Sequence, residues 1–325
     1  MPLTLHVDTQ RWRTHLTSML EKHPGLVPVI KGNGYGFGLA NLALEAKHLG
    51  ITSIAVGTSN EVSQVRTVFD GEIMVLSPDG EQILGTIITI SDIDSLKKLN
   101  VDQEFVLEIL TPMKRHGISI IHVGEALNVI AERHLKFRGF SLHLPIALIE
   151  KGWIRSTLSA IPGDSTVWIS HLYKPERMRK AFPNMTFHER IGTSLWLGEP
   201  DSLNVSATVL ENHHEPKSAG YRQRQVNGNV IVVSGGTAHG IGLSAPTSDL
   251  SLVGRIKSIG RGVESALGKF RSPYRWKGKF LNFLEPPHMQ CSMLIYKGNQ
   301  PPQKGEELAV RVRHTTTNFD EINFR

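Results

Sequence analysis

Short apolar runs recur through about the first 200 residues at intervals that leave room for one helix between neighbours. They cover residues 26–30, 53–56, 73–76, 86–90, 105–110, 137–144 and 166–170, and an eighth segment ends at Leu195-Trp196-Leu197. Helical patterns fall between them. Leu39, Leu42, Ala43, Ala46 and Leu49 share one face, and Gly50 stops the run. Thr58-Ser-Asn-Glu61 is a capping box ahead of Val62, Val65 and Phe69. A further helix is expected near 123–134, and one near 10–22 precedes the first run. Eight strands alternating with helices predict an α/β fold, a (β/α)8 TIM-like barrel over residues 8–199. The crossovers near 78–85 and 92–100 are short for it.

After Gly198 the helical period fades. Residues 206–210, 229–234, 290–296 and 308–312 are strand-like with Gly/Pro-rich links, which predicts a mostly β C-terminal domain over 200–325. The alternating N-terminal residues 1–7 are placed with it as a strand, and 251–276, basic and broken by glycines, as a long excursion.

At 325 residues the chain is long enough for one barrel and a smaller domain. A formal charge of +6 is mildly basic and suits phosphate-bearing ligands. Clusters such as Arg11-Trp12-Arg13 and Arg222-Gln223-Arg224 are too short and scattered for a nucleic-acid protein. One cysteine, Cys291, excludes an internal disulfide and a cysteine-rich zinc site, and no metal is expected. Neither a signal peptide nor an apolar span of membrane length is present, so a cytoplasmic protein is expected.

The first run ends on Lys31, followed by Gly32-Asn33-Gly34-Tyr35-Gly36-Phe37-Gly38. A lysine leaving a buried strand suits an amine that must lose its proton and attack a carbonyl. The glycines allow positive φ and a close backbone approach to a ligand. The residues alone leave two readings open: a Schiff-base or phosphate-binding lysine, or a strand-end lysine that merely reaches solvent.

This segment resembles the pyridoxal-phosphate lysine segment of the alanine racemases, the fold-type III PLP-dependent enzymes. The resemblance implies pyridoxal 5'-phosphate as cofactor, with Lys31 as the amine of the internal aldimine and Tyr35 helping to hold it and the phosphate end. Arg190-Ile-Gly192-Thr193 is similar to the family segment whose arginine bonds the ring nitrogen and whose glycine and next residue serve the phosphate. An arginine cannot hand its proton fully to a pyridine nitrogen, so it weakens the electron sink. Leu107-Glu108-Ile-Leu-Thr-Pro-Met-Lys-Arg115 resembles the segment whose arginine approaches the cofactor's phenolic oxygen and the substrate carboxylate. Glu108 stands where many members carry a carbamylated lysine, and its charge is placed to orient Arg115. Gly139-Phe-Ser-Leu-His143 is similar to the strand whose histidine packs near the ring. Ser170 and His171 stand near the family's phosphate-binding serine.

The C-terminal half departs from the pattern. The family's second base, a tyrosine, is Thr237 in Gly235-Gly-Thr-Ala-His-Gly240, and threonine is no base near neutral pH. His239 is the proton-exchanging residue closest to it, with Tyr274 behind it. Met289 and Gln290 occupy the place of the methionine-aspartate pair that lines the substrate carboxylate pocket. The family's last segment, with a phosphate-binding tyrosine, has no counterpart after Ile322. The resemblance therefore implies an isomerase, a racemase or epimerase working by α-proton abstraction from an external aldimine, as a head-to-tail homodimer acting on a small amino acid. Its alternatives are a non-catalytic or single-base PLP-binding protein, or a PLP enzyme for a larger amino-acid or cell-wall-related substrate.

Overall fold

The computed structural model describes residues 2–77, 79–146, 152–243 and 270–325. Its chain contacts divide it into two compact units, residues 13–198 and residues 1–12 with 199–325.

The chain opens with β1 (Leu3–Val7) and α1 (Thr9–Lys22). The first unit is then built on β2 (Leu26–Ile30), α2 (Leu39–His48), β3 (Ser53–Val56), α3 (Val62–Arg66), β4 (Glu72–Val75) and β5 (Ile87–Ile90). It continues through α4 (Ile93–Lys98), β6 (Glu104–Glu108), α5 (Val123–Glu132), β7 (Phe137–His143), α6 (Trp153–Ser159), β8 (Thr166–Ser170), α7 (Pro175–Ala181), β9 (Thr186–Ile191) and α8 (Thr193–Trp196). β2 to β9 form a closed parallel barrel, with β9 returning to β2 in the register Leu26↔Glu189 and Val27↔Arg190.

Val27, Val29, Ala55, Met74, Ile87, Val106 and Trp168 fill the barrel interior. One β2 residue in two points inward, as the pleat demands, and the whole strand is buried because helices cover its outer face. The eighth strand differs from the sequence expectation. It is β9, which alternates Phe187, Glu189 and Ile191 against His188 and Arg190; the apolar triplet Leu195-Trp196-Leu197 instead closes α8 and its cap. Trp196 explains the misreading. Its burial serves a helix contact, the indole N–H donating to the Val29 carbonyl at 2.9 Å.

The second unit contains β1, β10 (Leu203–His213), β11 (Ser218–Ala219), β12 (Arg224–Gln225), β13 (Asn229–Ser234), β14 (Phe270–Trp276), β15 (Lys279–Phe283), β16 (Cys291–Tyr296), β17 (Glu307–Val310) and β18 (Glu321–Phe324). β11 and β12 pair as a small hairpin; the rest form one sheet in the order β13-β16-β15-β14-β17-β10-β1-β18. β13 also pairs with β10, so the strand order returns on itself. The expected excursion needs correcting. Residues 251–269 lie outside the described residues, but 270–276 are β14, paired with both β15 and β17. Ser272 and Tyr274 alternate into the core there, a period-2 signal that the flanking basic residues hid. No helix among the described residues is long and apolar enough to cross a membrane.

Candidate functional site

The C-terminal ends of a closed parallel barrel's strands converge on one face, where the following loops build a site. Lys31 leaves β2 there. Its amine is held below the ordinary lysine pKa, first by surrounding protein and then by the charges of Arg115 and Arg190, with Glu61 pulling the other way. This raises the share of neutral, nucleophilic amine.

The loop after Lys31 is tightly folded. Gly34 N–H donates to the Lys31 carbonyl at 3.1 Å and Phe37 N–H to Gly34 at 2.9 Å. Tyr35 sits at φ 55°, a left-handed conformation costly for a residue with a Cβ. That turn buries the phenol, which bonds the Thr193 side chain; burial pushes its pKa up to about 12. The phenol tip lies against Gly192, where a Cβ would sit 2.1 Å from the Tyr35 hydroxyl oxygen. Gly192 and Thr193, at the start of α8, and Tyr35 are thus packed into one corner.

Arg190 projects from β9 into a fully buried position. One terminal nitrogen donates to Ser141 Oγ at 2.9 Å and the other to the Leu142 carbonyl at 2.9 Å. Ser141 donates onward to Glu108 Oε2 at 2.9 Å. Burial pushes the Arg190 guanidinium down to about 10, opposed by Glu108 and reinforced by Arg115. Burial raises the Glu108 carboxyl above its usual range, against the pull of Arg190, the Ser141 hydroxyl, Arg115 and His116. Arg190 Nε is buried and has no hydrogen-bond partner. A buried donor without a protein acceptor is rare and is free to meet an acceptor on a bound molecule or water.

Arg115 is exposed on a loop that folds back onto the end of β6, with Leu110 N–H donating to Ile118 O at 2.9 Å and Ile118 N–H to Glu108 O at 2.8 Å. His143 ends β7 and meets the His171 ring edge to face at 5.3 Å. Burial and the charges of Arg190, Arg115, His171 and Lys31 push His143 down to about 3, so its ring is neutral. His171 is lowered by burial, then by Arg190 and Lys31, and sits at φ 61°, outside the usual range for its type. Ser170 is buried at the end of β8. The mouth thus gathers the basic side chains of Lys31, Arg115 and Arg190 beside two imidazoles whose charged forms are disfavoured, an environment for an anion.

Two residues of this constellation were not singled out for chemistry by the sequence. Ser141 links Arg190 to Glu108; it is two residues before His143, on the same strand face, which was the available signal. Glu61 was legible only as a helix cap, yet its carboxylate accepts from Gly32 N–H at 2.7 Å and Gly57 N–H at 2.6 Å.

His239, Met289 and Gln290 belong to the second unit. His239 is buried. Its Nδ1 accepts from the Gly236 N–H at 3.1 Å, which places the proton on Nε2, 3.1 Å from Asp320 Oδ1. Neither nitrogen is available to a substrate in this arrangement. Tyr274 is fully buried, with its hydroxyl oxygen 2.7 Å from Gly235 O and 3.0 Å from Ser234 O, which removes it as an alternative base. Met289 and Gln290 are exposed in the loop before β16. That loop pairs with the Gly235–Ala238 backbone, Thr237 N–H donating to His288 O at 2.8 Å and Ala238 N–H to Met289 O at 3.1 Å.

Fold and site together define a (β/α)8-barrel protein with a lysine-centred, cationic mouth, carrying a separate β unit. Residues 7–161 match the family model described as "Alanine racemase, N-terminal domain". An alanine racemase of Campylobacter jejuni (strain 81-176) is 28% identical over 188 residues, 57% of this chain and 54% of that protein. One from Campylobacter concisus is 31% identical over 144 residues, 43% of this chain and 42% of that protein. The chain spans about half the length of the curated relatives it matches. Among solved structures, alanine racemase from E. faecalis superposes with a TM-score of 0.67 at 17% identity, covering 99% of this chain and 91% of that one. The Bartonella henselae enzyme, solved with covalently bound pyridoxal phosphate, gives 0.67 at 15% identity, covering 97% and 91%. These matches make the N-terminal part of the chain similar to the alanine racemases, and the whole fold similar to that of their solved structures.

Proposed function

We propose that this protein binds pyridoxal 5'-phosphate at the barrel mouth and moves the α-proton of an amino acid, as a racemase or epimerase. The observation that carries the reading is the buried, unpartnered Nε of Arg190, at a mouth that also holds Lys31 with a lowered pKa. A pyridine nitrogen is an acceptor that fits this donor. Lys31 would hold the aldehyde carbon, Tyr35, Gly192 and Thr193 the phosphate end with Ser170 and His171 beside it, and His143 the ring edge. Arg115 would take the phenolic oxygen and the substrate carboxylate. When bound, pyridoxal phosphate supplies an electron sink that acidifies the Cα–H of an attached amino acid.

The protein's own part is to position and to move the proton. Lys31 Nζ would take the α-proton on its face, and its lowered pKa raises the share of neutral amine for that task. Arg190 would face the ring nitrogen as a charged donor that keeps its proton. Glu108 and Ser141 hold the guanidinium in place. Met289 and Gln290 complete the carboxylate pocket, in a homodimer.

A second reading is favoured by His239, whose nitrogens are both engaged. With Thr237 in place of a base, one proton-handling group would remain. Incubation of cofactor-loaded protein with L- and D-amino acids in deuterated water, read by mass and chirality, separates the readings. Deuterium incorporation with inversion supports the racemase. Incorporation with retention supports the single-base reading, and no incorporation into any free amino acid rejects both for such substrates.

A further inference from the structure

We propose that Glu61 is the positioning residue of Lys31: its carboxylate clamps the peptide that follows the lysine to the turn after β3, and so fixes where the amine enters the site. This rests on the reading of Lys31 as the cofactor amine.

The two carboxylate oxygens have different tasks. Oε1 accepts from the Gly32 N–H at 2.7 Å; Oε2 accepts from the Gly57 N–H at 2.6 Å and the Thr58 N–H at 3.3 Å. One side chain thus bridges the ends of two adjacent barrel strands. A helix cap requires only the second set of bonds, so the Gly32 contact is additional to capping. Gly57 gives an independent sign of close fit: a Cβ there would lie 3.0 Å from Lys31 Cβ and 3.0 Å from Glu61 Oε2. The turn is itself tied down one strand further on. Asp79 accepts from the Ser59 N–H at 2.9 Å and from its hydroxyl at 2.8 Å. The chain Asp79, Ser59, Glu61, Gly32 therefore runs around the mouth and ends beside the lysine. Glu61 also supplies the one acidic charge acting on Lys31 and Tyr35 among the residues that perturb them; Arg115 and Arg190 oppose it at the lysine.

Two substitutions separate bridge from charge. Glu61→Gln removes the charge and turns an amide N–H₂ toward one of two backbone donors. Glu61→Asp keeps the charge but is one methylene too short to span both. The full-length variants are checked for folding by circular dichroism. Lys31 in cofactor-free protein is then titrated by competitive acetylation with peptide mass analysis, and pyridoxal phosphate affinity is measured by spectroscopic titration. Glu61→Gln is expected to move the Lys31 midpoint downward, because the lost carboxylate favoured the charged amine, and Glu61→Asp to move it less. Both should weaken cofactor affinity roughly tenfold, the scale of one lost hydrogen bond to a charged group. An unchanged midpoint with unchanged affinity in Glu61→Gln overturns the proposal, as does full affinity in Glu61→Asp. If wild-type protein takes up no cofactor, the site reading fails, while the acetylation profile still decides whether Glu61 acts on Lys31.

Discussion

Replacing Gly192 by alanine tests the packing that closes the site corner. Gly192 has φ −118°, outside the left-handed region that favours glycine. The main cost of the substitution is steric. The new methyl would lie 2.1 Å from the Tyr35 hydroxyl oxygen, 2.9 Å from Cζ and 3.4 Å from Val29 Cβ. Relief requires the phenol to retreat by more than an ångström, and Tyr35 is buried on a left-handed residue that leaves its side chain little room. Overpacking of this kind costs about 1–3 kcal/mol. Loss of the Tyr35–Thr193 hydrogen bond adds about 1 kcal/mol. A destabilisation of about 2–4 kcal/mol is therefore expected from urea unfolding at constant m-value. Tyr35→Phe removes the atom that clashes first. In the double variant the two costs should fall short of additivity by about 1 kcal/mol or more. A Gly192→Ala cost below about 0.5 kcal/mol, or strict additivity with Tyr35→Phe, would refute the reasoning.

Two further outcomes follow from the hydrogen-bond networks. Removing the His239 ring leaves Gly236 N–H without its acceptor, so His239→Ala should cost about 1–3 kcal/mol in unfolding experiments; an equally stable variant would free His239 for chemistry. Burial raises the Glu108 carboxyl in the folded state, so the native protein binds its proton more tightly than the unfolded chain. That stabilisation is complete below the unfolded glutamate pKa and is lost as pH rises through the folded value. Wild-type stability relative to Glu108→Gln should decline across that window, and a flat difference between the two would show that Glu108 titrates normally.

Much of the barrel could be read from spacing because each strand is an apolar run too short to be a helix. β2, β3 and β8 match the sequence reading to the residue. The reading failed where burial serves something other than a strand. Trp196 is buried by a helix that docks on β2, and the polar, charged residues of β9 hid an inward-pointing Arg190. In the second unit β14 was obscured because arginines and a proline alternate with the buried Ser272 and Tyr274. At the site, Lys31 and Tyr35 were marked by glycines that only an unusual backbone needs. Ser141 and Glu61 carry no such mark; a serine in a strand and a glutamate at a cap are ordinary until the fold brings Arg190 and Gly32 to them.

The central claim, that Lys31 is the amine that holds the cofactor, is open to one direct measurement. The protein is loaded with pyridoxal phosphate, reduced with borohydride, digested and mapped by mass. The account predicts a pyridoxyl-phosphate mass on the peptide containing Lys31, and its loss in Lys31→Ala. A stable adduct on another lysine, or an undiminished adduct in Lys31→Ala, would contradict it.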